Sequence, residues 1–206
     1  EAEPFSPDNL LIFGAGPLVG TAAPAACRTT VVTRSALTNY LTHSNMAGFW
    51  GPELKFAGYD TLIVSGKSPS PVYIYINNDK VEIRDASHLW GKDVFETQRM
   101  IREELKDEKV QSLNIGPAGE NKVLYADISH GPGCSMSRGG AGAVMGDKNL
   151  KAIAVRGTQD VNIARPAPFL ELCEDIMSRS AFLEATEGAR WPDPVNGTLY
   201  LNTLKT

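Results

Sequence analysis

The stretch "SRGGAGAVMGDKNLKAIAVRGT" (137–158) decides the fold, because an earlier stretch, "NMAGFWGPELKFAGYDTLIVSGK" (45–67), follows the same plan. In both, a glycine-bearing turn leads to a short segment with Leu-Lys and then to an apolar run that a glycine closes. A second pair, "LLIFGAGPLVG" (10–20) and "SLNIGPAGEN" (112–121), joins an apolar run to Gly-Pro. This self-similarity favours a duplicated unit whose halves face each other. Chance similarity of Gly-Pro turns is the alternative.

The composition is that of an ordinary globular protein. The chain has 206 residues, 42% of them hydrophobic and 21% charged, with a net charge of −4 that argues against a general nucleic-acid binder. No apolar run approaches the ~20 residues that a membrane span requires, and the N-terminal "EAEPFSPDNL" has no signal-peptide features. We therefore expect a cytoplasmic protein that binds neither nucleic acid nor membrane.

The cysteines and histidines show no metal-binding pattern. Cys27, Cys134 and Cys173 are odd in number and far apart, so neither a disulfide framework nor a metal knuckle is predicted. The three histidines, at 43, 88 and 130, also lack metal-ligand spacing, and each is interpreted as a hydrogen-bonded structural residue. Metal chemistry is therefore expected to come from a bound cofactor or from residues outside this chain.

Hydrophobic periodicity predicts an α+β fold: a β-rich base domain of two similar repeats with a few flanking helices. A hairpin is predicted in "PVYIYINNDKVEIRD" (71–85). A helix is predicted over 93–106, with Asp93 as its cap and Glu96 at capping-box distance. A second helix is predicted from Pro168 to about Ser180, with Cys173 in the core. The tail "WPDPVNGTLYLNTLKT" (191–206) reads as the start of a further element. Strands are predicted at 10–13, 30–33, 61–65, 72–76, 81–84, 110–115, 122–128 and 151–156.

Several polar residues lie in small-residue or glycine-rich turns, and each has two interpretations. Arg138, beside Gly139-Gly140, suits phosphate oxygens, but the turn matches neither a P-loop nor a dinucleotide pattern, so a structural turn is the alternative. Arg28 faces either solvent or a ligand. Asn45 either caps the next helix or offers its carbonyl to a cation. Cys134 is a pocket-wall residue or a plain small residue.

Together, the glycine-rich turns predict one large anionic ligand, and the motifs resemble a known family. "GPLVGTAAPAACRTTVVTRSALT", "SNMAGFWGPELKFAGYDTLIVSGK", "PVYIYI…VEIRDASHLWGKD", "NIGPAGENKV" and "SRGGAGAVMGDKNLKAIAV" are similar, in this order, to the N-terminal domain of the aldehyde ferredoxin oxidoreductases, the tungsten-pterin enzymes. The resemblance runs from about Ser6 to about Arg165.

The resemblance implies a ligand and a set of cofactor-binding residues. In the family, this domain is a base with an internal pseudo-two-fold, on which two pterin dithiolenes chelate one tungsten and a magnesium ion bridges their phosphates. Arg28 and Arg138 match cofactor-contacting arginines. Asn45 matches the asparagine whose main chain reaches the magnesium, and Ser135 is assigned a similar main-chain contact. Ala47, Ser135 and Ser137 stand at positions that touch the cofactor largely through backbone. Molybdenum in place of tungsten stays open.

The chain also departs from the family pattern. Cys134 stands where members often carry a second arginine, and we keep it among the cofactor-binding candidates. The resemblance divides the chain into a tungstopterin-binding base domain, 1–160, and a linker helix with the start of a second, helical domain, 161–206. It implies that the family's first strands are missing and that the cysteines of the [4Fe–4S] cluster and the acid–base residues lie in later domains. No catalytic residue is assigned here.

The implied activity belongs to a larger enzyme. It is the oxidation of an aldehyde to a carboxylic acid, with ferredoxin accepting the electrons and the remaining helical domains completing the protein; a homodimer is one option. A base domain of an aromatic acyl-CoA reductase of the same family is the first alternative. A non-catalytic pterin-binding or assembly module is the second.

Overall fold

The computed structural model describes residues 2–131 and 133–178, in which ten strands and five helices are found. In chain order they are β1 (Leu11–Ala15), β2 (Thr29–Arg34), β3 (Leu41–Met46), α1 (Trp50–Phe56), β4 (Thr61–Val64), β5 (Val72–Asn77), β6 (Lys80–Asp85), α2 (Val94–Leu105), β7 (Gln111–Asn114), α3 (Pro117–Glu120), β8 (Ile128–His130), β9 (Cys134–Met136), α4 (Ala141–Asp147), β10 (Leu150–Arg156) and α5 (Pro166–Ser178).

The strand order confirms the duplicated unit. One sheet has the order β3-β2-β1-β4, with every pair antiparallel. The other has the order β6-β5-β10-β7-β8-β9, and its part β9-β8-β7-β10 repeats the first sheet's order, again antiparallel throughout. A seven-residue helix links the third and fourth strands of each unit, α1 in the first and α4 in the second. The similarity between 45–67 and 137–158 is therefore structural.

A hydrophobic core joins the two repeats. It takes side chains from both sheets and from α1 and α4. Trp50 at the start of α1 is fully buried, its ring centroid lies 5.8 Å from that of Phe13, and its indole Nε1 donates to the carbonyl of Ile153 at 3.0 Å. Burying an aromatic ring while pairing its only donor is the favourable arrangement for tryptophan. This residue ties the first repeat to the last strand of the second.

A second core covers the opposite face of the six-stranded sheet. Because side chains alternate along a strand, Ile153 and Val155 of β10 enter the main core while Ala152 and Ala154 face the second one. Ile101 of α2 packs there, together with residues of β5. The β5–β6 hairpin extends this sheet by pairing β5 in parallel with β10.

Three local predictions are confirmed. The hairpin forms with Asn77 opposite Lys80, so Asn78 and Asp79 make the turn and Asn78 has a left-handed φ of 53°. The side chain of Asp93 caps α2 by accepting from the amides of residues 95 and 96, both at 2.8 Å. Cys173 is buried, as expected.

Other predictions are wrong or shifted. Residues 122–127 do not form a strand: they make turns closed by bonds from Val123 and Ala126 amides to nearby carbonyls, and β8 begins only at Ile128. The short polar strands β3 and β9 were not predicted. Helix α5 starts at Pro166, two residues earlier than expected. The predicted element at 191–206 lies outside the described residues. None of the helices in the described ranges combines the length and apolar character that a membrane crossing demands.

We expect Gly146→Ala to destabilise the chain markedly. An added Cβ at Gly146 would lie 1.9 Å from the carbonyl oxygen of Gly119, so α4 would have to move away from α3. Overpacking of this kind costs about 1–3 kcal/mol of the free energy of unfolding. Gly14→Ala is the control, since a Cβ there meets nothing within 4 Å. Urea unfolding measures both, and equal stabilities would show that the α3–α4 contact is not tight.

Candidate functional site

The seven predicted cofactor-binding residues come together where the two repeats meet. Edge strand β3 of one sheet contacts edge strand β9 of the other. In the first repeat, Asn45 lies in β3, Ala47 follows that strand, and Arg28 directly precedes β2, the strand paired with β3. In the second repeat, Cys134 and Ser135 lie in β9, and Ser137 and Arg138 follow that strand. We call residues 47–49 the first turn and residues 137–140 the second turn. Each turn leads from its edge strand into the helix of its repeat.

The two turns occupy equivalent places in the repeats. Thr29 of β2 pairs with Met46, and Ile128 of β8 pairs with Met136. Both methionines point into the core, with 3% and 0% of their surface exposed. The residues on either side of each methionine, Asn45 and Ala47 in one repeat and Ser135 and Ser137 in the other, are therefore related by the duplication. Small or amide side chains stand at all four positions.

Arg28 is held at this junction by Asn45. Its guanidinium is exposed, and Nη1 donates to Asn45 Oδ1 at 2.6 Å. The cap of α1 is Phe49, with no side-chain hydrogen bond. The expectation that Asn45 caps the helix is therefore wrong, because Asn45 lies inside β3 and four residues before the cap. Its carbonyl oxygen instead fixes the direction of an arginine.

Arg138 is exposed at the start of the second turn, and its backbone is fixed. The Arg138 amide donates to the hydroxyl of Ser44 at 3.1 Å, and the Ser35 hydroxyl donates to the carbonyl of Gly139 at 2.8 Å. Within the described ranges, neither Arg28 nor Arg138 has a carboxylate at ion-pair distance. Two exposed guanidinium groups without acidic partners suit an anionic ligand.

The glycines of the second turn make room for backbone. Gly139 and Gly140 have φ of 72° and 69°, and a Cβ on Gly140 would lie 1.9 Å from the carbonyl oxygen of Leu124. In α4, directly after the turn, a Cβ on Gly142 would lie 2.1 Å from the carbonyl oxygen of Asp127. Close backbone contacts therefore explain the glycines as structural residues of this segment. They do not explain Arg138, whose side chain is exposed.

Cys134 does not replace the positive charge of an arginine. Burial raises the pKa of its thiol, the neighbouring Cys27 adds to that rise, and Arg28 opposes it. A thiol with a raised pKa is neutral at pH 7. Arg138 is thus the cation at this end of the site.

His130 belongs to the site although sequence reasoning treated it only as a structural residue. It lies in β8 with 5% of its surface exposed, and its ring packs against Gly48 of the first turn. Nε2 accepts from the Phe49 amide at 3.1 Å, and Nδ1 donates to the carbonyl of Ser112 at 3.0 Å. Burial lowers the pKa of His130, so the imidazole is neutral at pH 7. No spacing in the sequence signals this link between repeats.

The site is a junction of strand edges, and it is separate from the open groove on the outer face of the four-stranded sheet. An open groove of about 450 Å³ is lined by outward-facing residues of the four-stranded sheet, including Ile12, Val32 and Leu41, and contains none of the seven residues. The described ranges also hold no group of three His, Cys, Asp or Glu side chains arranged to bind a metal ion. The donor set consists of guanidinium groups, small side chains and backbone.

Comparison with known proteins identifies the family to which the chain is similar. Residues 1–157 match the family model described as "Aldehyde ferredoxin oxidoreductase, N-terminal domain". The tungsten-containing aldehyde ferredoxin oxidoreductase of Pyrococcus horikoshii is 54% identical over 84% of this chain and 28% of its own length. That of Pyrococcus furiosus is 55% identical over 82% of this chain and 28% of its own length.

A solved structure is similar to the same extent. The active-site complex of benzoyl-coenzyme A reductase with 1,5-dienoyl-CoA contains a chain that is 54% identical, with a TM-score of 0.86, over 93% of this chain and 29% of that one. The present chain thus spans less than a third of the length of the relatives it matches. The family model covers most of the chain, and the relatives are more than 50% identical to it. The chain therefore belongs to the aldehyde ferredoxin oxidoreductase family, and residues 1–157 correspond to the N-terminal domain of that family.

Proposed function

We propose that this chain is the cofactor-binding base domain of a tungsten bis-pterin oxidoreductase, with molybdenum as the alternative metal. The observation that carries the proposal is the convergence of the seven residues from both repeats at the β3–β9 junction. Among the described residues, no carboxylate lies at ion-pair distance from the guanidinium groups of Arg28 and Arg138. A bis-pterin cofactor is a large anion with two phosphate-bearing arms. A junction of two equivalent half-sites fits such a ligand.

The residues present fit this group without supplying metal ligands. Arg28 and Arg138 would donate to phosphate oxygens. Main-chain groups at Asn45 and Ser135 would hold a magnesium ion beside the cofactor, and Ala47 and Ser137 would let backbone approach the pterin closely. The bound metal would supply two-electron redox chemistry at the substrate carbon. As the family resemblance implies, the pterin dithiolenes would hold that metal.

The complete protein would carry the rest of the machinery. We propose that residues 161–206 lead into a second, helical domain, and that a [4Fe–4S] cluster bound there passes electrons to ferredoxin. Base-domain residues 1–160 would then bind and orient the cofactor without moving a proton. The reaction of the whole enzyme would be the oxidation of an aldehyde to a carboxylic acid.

A second reaction is favoured by the solved relative. The chain is as similar to the benzoyl-coenzyme A reductase structure as to the Pyrococcus horikoshii enzyme, 54% in both comparisons. Reduction of an aromatic acyl-CoA thioester is therefore the alternative, and a pterin-binding module without catalysis is the other class of function.

An activity assay separates these functions. The longest natural protein that contains this chain, purified without oxygen, is assayed with a panel of aldehydes and a viologen dye as electron acceptor, and separately with aromatic acyl-CoA thioesters and a reduced dye. Dye reduction that depends on an aldehyde is the expected result. Thioester reduction alone would select the alternative, and a loaded protein inactive in both assays would favour the binding module.

A further inference from the structure

The two turns of the site are each held by a residue from the opposite repeat. The first turn ends at Phe49, whose amide donates to His130 of the second repeat at 3.1 Å. The second turn begins at Arg138, whose amide donates to Ser44 of the first repeat at 3.1 Å. The bonds are reciprocal: in each case a side chain on a strand of one repeat accepts from a backbone amide in the turn of the other. Each turn is therefore hydrogen-bonded to a side chain of the opposite repeat.

His130 is built closely into the first turn. Gly48 has a φ of 115°, and a Cβ on it would lie 2.5 Å from His130 Cδ2 and 3.7 Å from Cys134 Sγ. The imidazole therefore packs directly against the Gly48 backbone, and no other residue type fits between them. On its other side, the ring is anchored by the bond from Nδ1 to the Ser112 carbonyl of β7. A rigid strand of the second repeat thus fixes the end of the first turn.

The hydrogen-bond partners define the tautomer. A carbonyl oxygen can only accept, so Nδ1 carries the proton toward Ser112, and a backbone amide can only donate, so Nε2 is unprotonated toward Phe49. No other side chain in the described part of the chain is bonded to the Phe49 amide. Loss of the Nε2 acceptor would leave that amide unpaired in a half-buried place and free the turn to shift.

We propose that His130 is a positioning residue of the cofactor site. Through its bond to the Phe49 amide, His130 holds the first turn, which follows Asn45, at the distance from the second turn that the cofactor requires. The inference rests on the proposed function. In this proposal, a buried histidine of the second repeat determines the position of the half-site in the first repeat. The relevant bond is the one to Phe49, while the bond to Ser112 serves as the anchor.

Two substitutions separate these bonds. His130→Gln places an amide oxygen near the position of Nε2, so it keeps an acceptor for Phe49 and gives up the donor to Ser112. His130→Asn places its amide near Nδ1, so it keeps the donor to Ser112 and leaves Phe49 without an acceptor. Each variant loses one hydrogen bond, so a merely structural role predicts similar falls in melting temperature and equal cofactor content in the two.

The measurement is metal and phosphorus content per chain, with the melting temperature, for wild type and both variants of the longest natural protein, purified without oxygen. We expect His130→Gln to keep near-wild-type tungsten or molybdenum, and His130→Asn to hold about tenfold less, as for residues that orient a metal site from behind. Hydrogen exchange of the Phe49 amide, which does not depend on cofactor loading, should be slow in wild type and His130→Gln and faster in His130→Asn.

The outcomes separate this inference from the proposed function. Wild-type protein without metal and phosphorus would refute the proposed function itself. Loaded wild type with equal content in both variants would overturn the role of His130. If His130→Asn does not fold, His130→Gln still tests the proposal. A folded but empty His130→Gln protein, or a fully loaded one whose Phe49 amide exchanges fast, would contradict it.

Discussion

Replacing Arg28 and Arg138 together by alanine is expected to weaken cofactor binding by roughly a hundredfold or more. A hydrogen bond to a charged group contributes about 1.5–3 kcal/mol, and about 1.4 kcal/mol corresponds to a factor of ten in affinity. Both guanidinium groups are exposed at the β3–β9 junction and lack carboxylate partners among the described residues, so no internal ion pair is lost with them. The double variant should therefore still fold while the bound metal falls.

Metal content per chain and melting temperature measure this prediction in the longest natural protein. Arg99→Ala is the matched control, since Arg99 is an exposed arginine on α2 that pairs with Glu103 four residues later. The control should bind metal like the wild type. A double variant that retains full metal content would show that Arg28 and Arg138 do not contact the cofactor.

Lys151→Met is expected to cost about 3–5 kcal/mol of the free energy of unfolding, the usual result of breaking a buried ion pair by removing one partner. The Lys151 ammonium has no exposed surface and donates to the carbonyls of Lys92 at 2.7 Å and Ile115 at 2.8 Å and to the carboxylate of Glu120. Glu120 is also buried and otherwise accepts from the Gly91 amide. Removal of the cation leaves this carboxylate uncompensated.

Burial lowers the pKa of Lys151, and the neighbouring Glu120 opposes that shift. The double variant Lys151→Met/Glu120→Leu should recover part of the lost stability, because no buried charge remains. Lys80→Met is the control, as the Lys80 side chain is 66% exposed in its pair with Glu82. Urea unfolding of the four proteins tests the point. A Lys151→Met protein as stable as the Lys80→Met control would mean that the buried pair contributes nothing.

The duplicated architecture could be predicted because its signals are local. Apolar runs and glycine turns mark β1, β4, β7 and β10, and each repeat places them in the same order. The hairpin turn at Asn78 and the Asp93 cap could be predicted for the same reason, as each depends on residues a few positions apart.

The strands that carry the site could not be predicted, because they are short and polar. β3 and β9 lie at sheet edges and contain sequences such as "CSM" (134–136), in which only Met136 is buried. Their strand character comes from pairing with β2 and β8. The run 122–128 shows the opposite case: its apolar residues resemble a strand, but Leu124 and Tyr125 are exposed in turns.

The candidate residues were found through the family resemblance and not through spacing alone. Glycines near Arg138 suggested bare backbone facing an anion, whereas Gly140, Gly142 and Gly146 are required by close contacts with other backbone segments. The proposed role of His130 depends on its hydrogen bond with the Phe49 amide, which lies 81 residues earlier in the sequence and in the other repeat. Such contacts follow from the fold and leave no pattern in the sequence.

The central claim, that the β3–β9 junction binds a metal bis-pterin, is tested most directly by elemental analysis. The longest natural protein that contains this chain is purified without oxygen and analysed by mass spectrometry for tungsten, molybdenum, magnesium and phosphorus. We predict stoichiometric tungsten or molybdenum, together with magnesium and excess phosphorus. Protein that is folded but contains neither tungsten nor molybdenum would contradict the claim, and Arg28 and Arg138 would then have to be explained without a cofactor.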